Sequence, residues 1–74
     1  MKTVFDIIYN SDVQYIKVLI INRFENITYK YEMYHNNKEI FSRETCSKIV
    51  DLKTFHNDAL SQIEIFKKIK HEHD

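Results

Sequence analysis

The most regular pattern along the chain is an alternation of apolar and polar side chains between residues 27 and 34. Its apolar members are Ile27, Tyr29, Tyr31 and Met33. A period of two, carried by aromatic and β-branched residues, is typical of a strand with one buried face. The pattern therefore predicts a strand in which Tyr29 and Tyr31 share one face and Tyr34 lies on the other.

The residues after this strand predict a hairpin. A polar cluster at residues 35–37 forms the turn, and residues 39–43 provide the returning strand. A three-residue loop places Lys30 opposite Glu44. A two-residue loop places Lys30 opposite Arg43, which is a like-charge pair, so the three-residue register is favoured.

The first third of the chain predicts two more strands. Residues 13–24 begin with an almost unbroken apolar run, interrupted by Gln14 and Lys17, as expected for a central strand covered on both faces. A helix also fits the length of this segment, but its β-branched content favours a strand. Residues 2–9 alternate well enough for a further strand that turns at residues 10–12, although residues 4–8 fit the opening of a short helix equally well.

The hydrophobic period changes to threes and fours after Thr54. The apolar side chains at that spacing are Phe55, Ala59, Leu60, Ile63, Phe66 and Ile69. They predict an amphipathic helix over about residues 54–70, with Thr54 as its N-cap and residues 71–74 as a frayed tail. Residues 45–53 fit either a short edge strand or an extra helical turn.

Together these elements predict a single small α+β domain over residues 1–74, built in two layers. An antiparallel sheet of three or four strands in meander order packs one face against the C-terminal amphipathic helix. The second sheet face, or an edge strand, then stays free to meet a partner or a second copy of the chain.

The sequence contains no glycine and no proline, which removes several classes of function. Phosphate-binding loops, dinucleotide-binding motifs and the Gly-x-Ser-x-Gly nucleophile elbow all need glycine. Tight turns must use Asn or Asp instead, which places them at residues 10–12, 25–26 and 35–37. Because Cys46 is the single cysteine, a chain of 74 residues has no intrachain disulfide and needs a dense core, a second copy or a partner.

Eleven basic and eleven acidic side chains give the chain a net charge of zero. A domain that mainly neutralises phosphates carries a basic surplus, so this balance argues against such a role. No apolar run approaches the roughly 18 residues of a membrane span, and no signal peptide is recognisable. We therefore expect a cytoplasmic protein without a membrane partner.

Two groups of residues invite a chemical interpretation. The C-terminal His71, Glu72, His73 and Asp74 can each bind a metal, but a closed zinc site needs further convergent ligands, so a solvated end is favoured. Cys46 and His56 suggest a nucleophile and its base, but no catalytic motif surrounds them, and a buried structural cysteine is favoured. We expect no catalytic residue, no metal and no cofactor, hence a non-enzymatic protein.

The tyrosines carry the preferred functional hypothesis, because tyrosine brings a large contact area and a polar tip to protein interfaces. The predicted partner-binding anchors are Tyr29, Tyr31, Tyr34 and Phe41. Small size, the absence of catalytic motifs and a composition rich in Ile, Lys and Asn are typical of accessory proteins of phages, viruses and plasmids. Many such proteins bind and inhibit or modulate a host protein, so we expect a protein partner, with a homodimer as a further expectation.

The alternative hypothesis is a small dimeric nucleic-acid-binding regulator. Its contacts would come from the basic side chains of Lys30, Arg43, Lys67, Lys68 and Lys70. Aromatic residues on a sheet also stack on nucleic-acid bases, but the balanced charge makes this the weaker hypothesis.

Overall fold

The computed structural model of the chain describes residues 1–9 and 13–67, and these contain four strands followed by a helix. The strands are β1 (Lys2–Ile8), β2 (Gln14–Arg23), β3 (Asn26–His35) and β4 (Lys38–Cys46), and the helix is α1 (Leu52–Ser61). After a turn at Gln62, residues 63–67 are helical again. The strands pair antiparallel in the order β1-β2-β3-β4. The predicted α+β fold, a meander sheet with a C-terminal helix, is confirmed.

β2 lies between β1 and β3, so the strand prediction for residues 13–24 is also confirmed. Ile16 and Val18 are fully buried on the side that faces the helix. Leu19 and Ile21 point to the other side and are buried as well. The nearly continuous apolar run thus reflects burial on both sides of a central strand.

The β3–β4 hairpin has the predicted residue pairing but a different loop. Lys30 pairs with Glu44, as expected for a three-residue loop. The loop itself has two residues, Asn36 and Asn37, with φ angles of 53° and 64°. Two consecutive positive φ angles are the requirement of a type I′ turn, which Asn meets at low cost.

A bulge in β4 explains how a two-residue loop leads to that register. Next to the loop, the pairs are His35 with Lys38 and Tyr34 with Glu39, and pairing then resumes as Met33 with Phe41. Ile40 is the extra residue, and it shifts the register by one. β1 contains a second bulge, because Val4 pairs with Leu19 and Asp6 with Val18, which leaves Phe5 extra. Both outer strands of the sheet are therefore bulged.

The β2–β3 loop contains Phe24 and Glu25, one residue earlier than the turn predicted at residues 25–26. Arg23 pairs with Asn26 to close this two-residue loop. Phe24 has a φ of 52°, in the left-handed region that Gly and Asn occupy most easily. In a chain without glycine, an aromatic residue takes this position.

α1 begins at Leu52, two residues earlier than predicted. Its N-cap is Asp51, whose Oδ1 accepts a hydrogen bond of 2.8 Å from the backbone N–H of Thr54. Thr54, the predicted N-cap, is therefore the third helical residue and supplies the donor that the cap satisfies. The predicted tail at residues 71–74 lies outside the described residues.

The core lies between α1 and the two middle strands, because α1 packs against β2 and β3. Its buried members are Ile16, Val18, Tyr31, Met33, Phe55, Ala59 and Phe66. A helix about 10 Å wide covers about two strands, since neighbouring strands are about 4.8 Å apart. The outer strands flank the helix instead, and a side-chain contact links each of them to it. Asp6 of β1 contacts His56, and Arg43 of β4 forms an ion pair with Asp58.

Candidate functional site

A groove lies between β4 and the start of α1, where the helix does not extend over the outermost strand. It has a volume of about 260 Å³ and is lined by Arg43, Thr45, Ile49, Val50, Thr54, Phe55 and Asp58. β4 provides one wall, the first two turns of α1 provide the other, and the turn between them closes one end. The groove is thus a direct consequence of covering a four-stranded sheet with a single helix.

The groove has an apolar floor and a charged rim. Val50 and Phe55 pack against the core, whereas Ile49 is 80% exposed. Arg43 Nη1 and Asp58 Oδ2 are 3.0 Å apart, but both side chains are well exposed, so this ion pair adds little stability. The residues that line the groove include no thiol and no imidazole.

Tyr31 of β3 lies in the core next to the groove and pairs with Arg43 of β4. Its ring centroid is 5.3 Å from that of Phe55 and 6.1 Å from that of Phe41. Burial raises the pKa of Tyr31, and the nearby Arg43 guanidinium partly opposes that rise. Although Arg43 is close, the buried Tyr31 hydroxyl has no partner in hydrogen-bonding geometry among the described residues.

The four predicted anchors do not share one surface. Phe41 is 46% exposed on the helix side of β4, close to the groove. Tyr29 packs against the core and Tyr31 is completely buried, so direct contact between Tyr31 and a partner does not fit this arrangement. Tyr34 lies on the opposite side of the sheet, as its position in the alternation predicts. The partner-binding role of Phe41 remains a prediction, and it is the member of the set most accessible on the helix side.

The sheet face away from the helix carries a cluster of aromatic and charged side chains. The rings of Tyr15 and Tyr34 stack with centroids 4.8 Å apart and planes 10° apart, and the Lys17 ammonium is 5.2 Å from the Tyr34 centroid. The Tyr34 hydroxyl donates a hydrogen bond of 3.1 Å to Glu32. Lys30 Nζ lies 3.1 Å from the other Glu32 oxygen.

These contacts change three pKa values in the cluster. Burial and the hydrogen bond to Glu32 raise the pKa of Tyr34 to about 12. Burial alone would raise the pKa of Glu32, but hydrogen bonds from Lys30 and Tyr34 outweigh it and hold this pKa below its usual value. The hydrogen bond that Lys30 donates to Glu32 raises the pKa of Lys30. Lys30 and Glu32 therefore form an ion pair on this sheet face, while the second ammonium of the cluster, that of Lys17, lies over the tyrosine rings.

The basic residues of the nucleic-acid hypothesis are dispersed. Lys30 lies in the cluster just described, whereas Arg43 is on the helix side and pairs with Asp58. Lys67 pairs with Glu64 along its own helix. Lys68 and Lys70 are outside the described residues. The three described side chains therefore do not form a common basic surface, and each already has a carboxylate partner.

His56 pairs with Asp6, a contact that the sequence did not indicate. His56 Nε2 is 2.9 Å from Asp6 Oδ2, and the Phe5 ring meets the imidazole edge-on at 5.7 Å. Cys46 follows Thr45, which lines the groove on the helix side, so the cysteine side chain belongs to the other sheet face. Cys46 and His56 are therefore on opposite sides of the sheet, and the nucleophile-and-base alternative does not fit the fold.

Residues 1–9 and 13–67 contain no group of three or more His, Cys, Asp or Glu side chains that could hold a metal ion. They also contain no helix with the length and hydrophobicity needed to cross a bilayer. The candidate ligands at residues 71–74 lie outside this part of the chain.

Exposed apolar side chains gather at the sheet end that carries the β2–β3 loop. Phe24 is 108% exposed, Met1 84% and Ile27 42%. The Asn22 backbone N–H donates to the Met1 carbonyl at 2.9 Å, and the N-terminal ammonium donates to the Asn22 carbonyl at 3.0 Å. A backbone bond of 2.8 Å from Ser47 to the Ile27 carbonyl brings the turn that carries Ile49 to the same end.

Sequence reasoning missed both Ile49 and Phe24 as surface features. Ile49 lies in residues 45–53, for which the sequence fitted either a short edge strand or an extra helical turn. The sequence did indicate that Phe24 lies in the loop, because only a loop at residues 24–25 pairs the apolar Val18 with Tyr31, and both are buried. Because turns were expected at Asn and Asp, the predicted turn was residues 25–26 and did not include Phe24.

Comparison of the chain with protein-family models, with curated proteins and with solved structures found no match. A functional proposal therefore rests on the geometry of the described surfaces.

Proposed function

We propose that the chain is a non-enzymatic protein-binding module whose partner docks on the helix side of β4, over Phe41 and the groove. The observation that supports this is a contrast within one face of the sheet. In the middle of β2 and β3 the helix side is buried beneath α1, as at Val18 and Tyr31, whereas on β4 Phe41 stays about half exposed, next to a groove with an apolar floor. A large apolar side chain next to a concave apolar surface is typical of the anchor region of an interface.

The bulge in β4 bears on how a partner docks. β4 is an outer strand, and a regular outer strand offers its main-chain groups to a partner strand. The extra residue Ile40 interrupts that regular ladder, and charged side chains lie on both sides of it. Docking through side chains on the helix side is therefore favoured over addition of a strand along the edge.

The exposed side chains are large enough to matter energetically. Burying the exposed half of Phe41 and most of Ile49 contributes on the order of 2–3 kcal/mol, which is about a 30- to 150-fold gain in affinity. The ion pair of Arg43 and Asp58 at the rim would govern orientation and specificity more than affinity. The rest of a useful affinity must come from a partner surface that also covers the rim.

The partner class is part of the same proposal. A small chain that acts by contact changes its partner by occupying a surface, so binding to a host protein would inhibit or modulate that protein. The small size of the chain and its composition support this assignment.

Affinity capture with a tagged chain tests the proposal. The chain is incubated with host lysate, with and without nuclease, and the retained proteins are identified by mass spectrometry. Phe41→Ala is compared with Val4→Ala, because Val4 is similarly exposed but lies on β1, the other outer strand. We expect one stoichiometric protein that survives nuclease, and we expect Phe41→Ala to weaken its binding about fivefold or more.

Two results would contradict the proposal. Loss of the captured material on nuclease treatment would favour the nucleic-acid alternative. An equal effect of Phe41→Ala and Val4→Ala would show that the helix side of β4 is not the contact surface. Circular dichroism of both variants confirms that each one is folded.

A further inference from the structure

Phe24 combines a strained backbone with a fully exposed aromatic side chain. Its φ of 52° lies in the left-handed region, which is unfavourable for a bulky residue with a β-carbon. Its ring lies entirely in solvent. Strain of this kind persists where other interactions compensate for it, and it often marks a functional position.

Tyr9 shows what such compensation looks like within this chain. It has a φ of 51°, and its ring stacks on the buried Phe66 with centroids 5.4 Å apart. The strain at Tyr9 therefore places an aromatic ring against the core. At Phe24 a positive φ is instead combined with a ring that lies in solvent, where it is available to another molecule.

The neighbours of Phe24 enlarge the exposed surface. Met1, Phe24, Ile27 and Ile49 lie at one end of the sheet and together expose about three complete large side chains. At roughly 150 Å² for each large side chain, this is on the order of 500 Å² of apolar surface. The largest apolar patch of a typical monomer is about 300–600 Å² and is often functional, and a standard interface buries about 800 Å² on each partner. The patch can thus supply more than half of a stable interface.

We infer that two copies of the chain associate about a two-fold axis, with Phe24 of each copy inserted into the groove of the other. The groove, at about 260 Å³, has room for a phenyl ring above its apolar floor. Ile49 at the groove lies at the same sheet end as Phe24, so both insertions can form in one symmetric dimer. A net charge of zero means that two copies do not repel each other overall.

This inference rests on the groove used in the proposed function and gives that groove a second occupant. Phe24 of a second copy and the partner protein compete for the same apolar floor. The dimer is then a resting form in which the groove is filled, and a partner must displace the second copy to bind.

Sedimentation velocity across a range of chain concentrations tests the dimer. We compare the unmodified chain with Phe24→Ala, which removes the inserted ring, and with Ile49→Arg, which places a charge at the groove. Ser42→Arg is the matched control, because it adds the same charge to β4 on the sheet face away from the helix. We expect a concentration-dependent dimer that Ser42→Arg retains and that the other two variants weaken at least 100-fold, since two insertions are lost in each.

Photocrosslinking locates the contact. Phe24 is replaced with p-benzoylphenylalanine, and unlabelled chain is mixed with ¹⁵N-labelled chain so that links between copies are identified by mass. We expect the crosslink to join position 24 of one copy to the segment 49–55 of the other. A chain that stays monomeric at millimolar concentration, a dimer insensitive to Phe24→Ala, or a crosslink outside the groove would each overturn the inference.

These results separate the inference from the proposed function. A monomeric chain whose captured partner is lost with Phe41→Ala overturns the dimer and leaves the proposed function standing. A dimer that depends on Phe24, together with no captured partner, supports the dimer and overturns the proposed function.

Discussion

Replacing Phe24 with Asn is expected to stabilise the monomer. A residue with a β-carbon costs about 1–2 kcal/mol in the left-handed region, and Phe24 adopts a φ of 52° there. Asn tolerates that region much better, and the ring that it replaces is fully exposed, so no core packing is lost. The substitution should raise the free energy of unfolding by about 1 kcal/mol, which raises the melting temperature by about 4–8 °C in a domain of this size.

Phe24→Ala is the matched control for this experiment. It removes the same exposed ring but keeps the same backbone penalty, so its stability should stay within about 0.5 kcal/mol of the unmodified chain. Thermal and urea unfolding are followed by circular dichroism at low micromolar concentration, where association is negligible. If Asn at this position is no more stabilising than Ala, the backbone of Phe24 is not strained and the reasoning fails.

Three further predictions concern buried or partly buried polar groups. The pKa of Glu32 is lowered in the folded chain, so the stability it contributes is present above its unfolded value of 4.5 and is lost as the pH falls through the folded value. Glu32→Gln should therefore flatten the dependence of melting temperature on pH between neutral and acidic solution. The pKa of Tyr34 is raised to about 12, so its contribution is complete below 10.0 and is lost as the pH rises towards 12. Absorbance titration should show late-ionising tyrosines, because burial also raises the pKa of Tyr31. Tyr34→Phe should remove the component that ionises near pH 12. Tyr31→Phe removes a buried hydroxyl without a hydrogen bond, so chemical unfolding should show unchanged stability or a gain of up to about 1 kcal/mol; a clear loss would mean that Arg43 does bind it.

The sequence predicted the fold well because its elements have strong and different periods. The alternation at residues 27–34 and the three-to-four spacing after Thr54 each correspond to one buried face, so element type and order followed directly. The Lys30–Glu44 pairing was also predicted correctly. The predicted three-residue loop between β3 and β4 was wrong. A two-residue loop followed by a one-residue bulge gives the same register as a three-residue loop, so the register alone does not distinguish them.

The surfaces were harder to predict than the elements. Which tyrosines are buried depends on the position of α1 across the sheet, and that position is not encoded in any single segment. Tyr29 and Tyr31 share a strand face as predicted, yet the helix covers Tyr31 fully and leaves Phe41 on the next strand half exposed. The groove likewise arises from a mismatch in width between one helix and four strands, which only the assembled layers reveal.

The bulges at Phe5 and Ile40 have a consequence for the solubility of this chain. A flat meander sheet has two open sides, and each could accept the next molecule and so build an endless fibril. In this chain one surplus residue breaks the repeat of main-chain donors and acceptors on each of the two open sides. Deleting Ile40 would restore an unbroken ladder along β4 and would convert a chain that stops at four strands into one prone to polymerise.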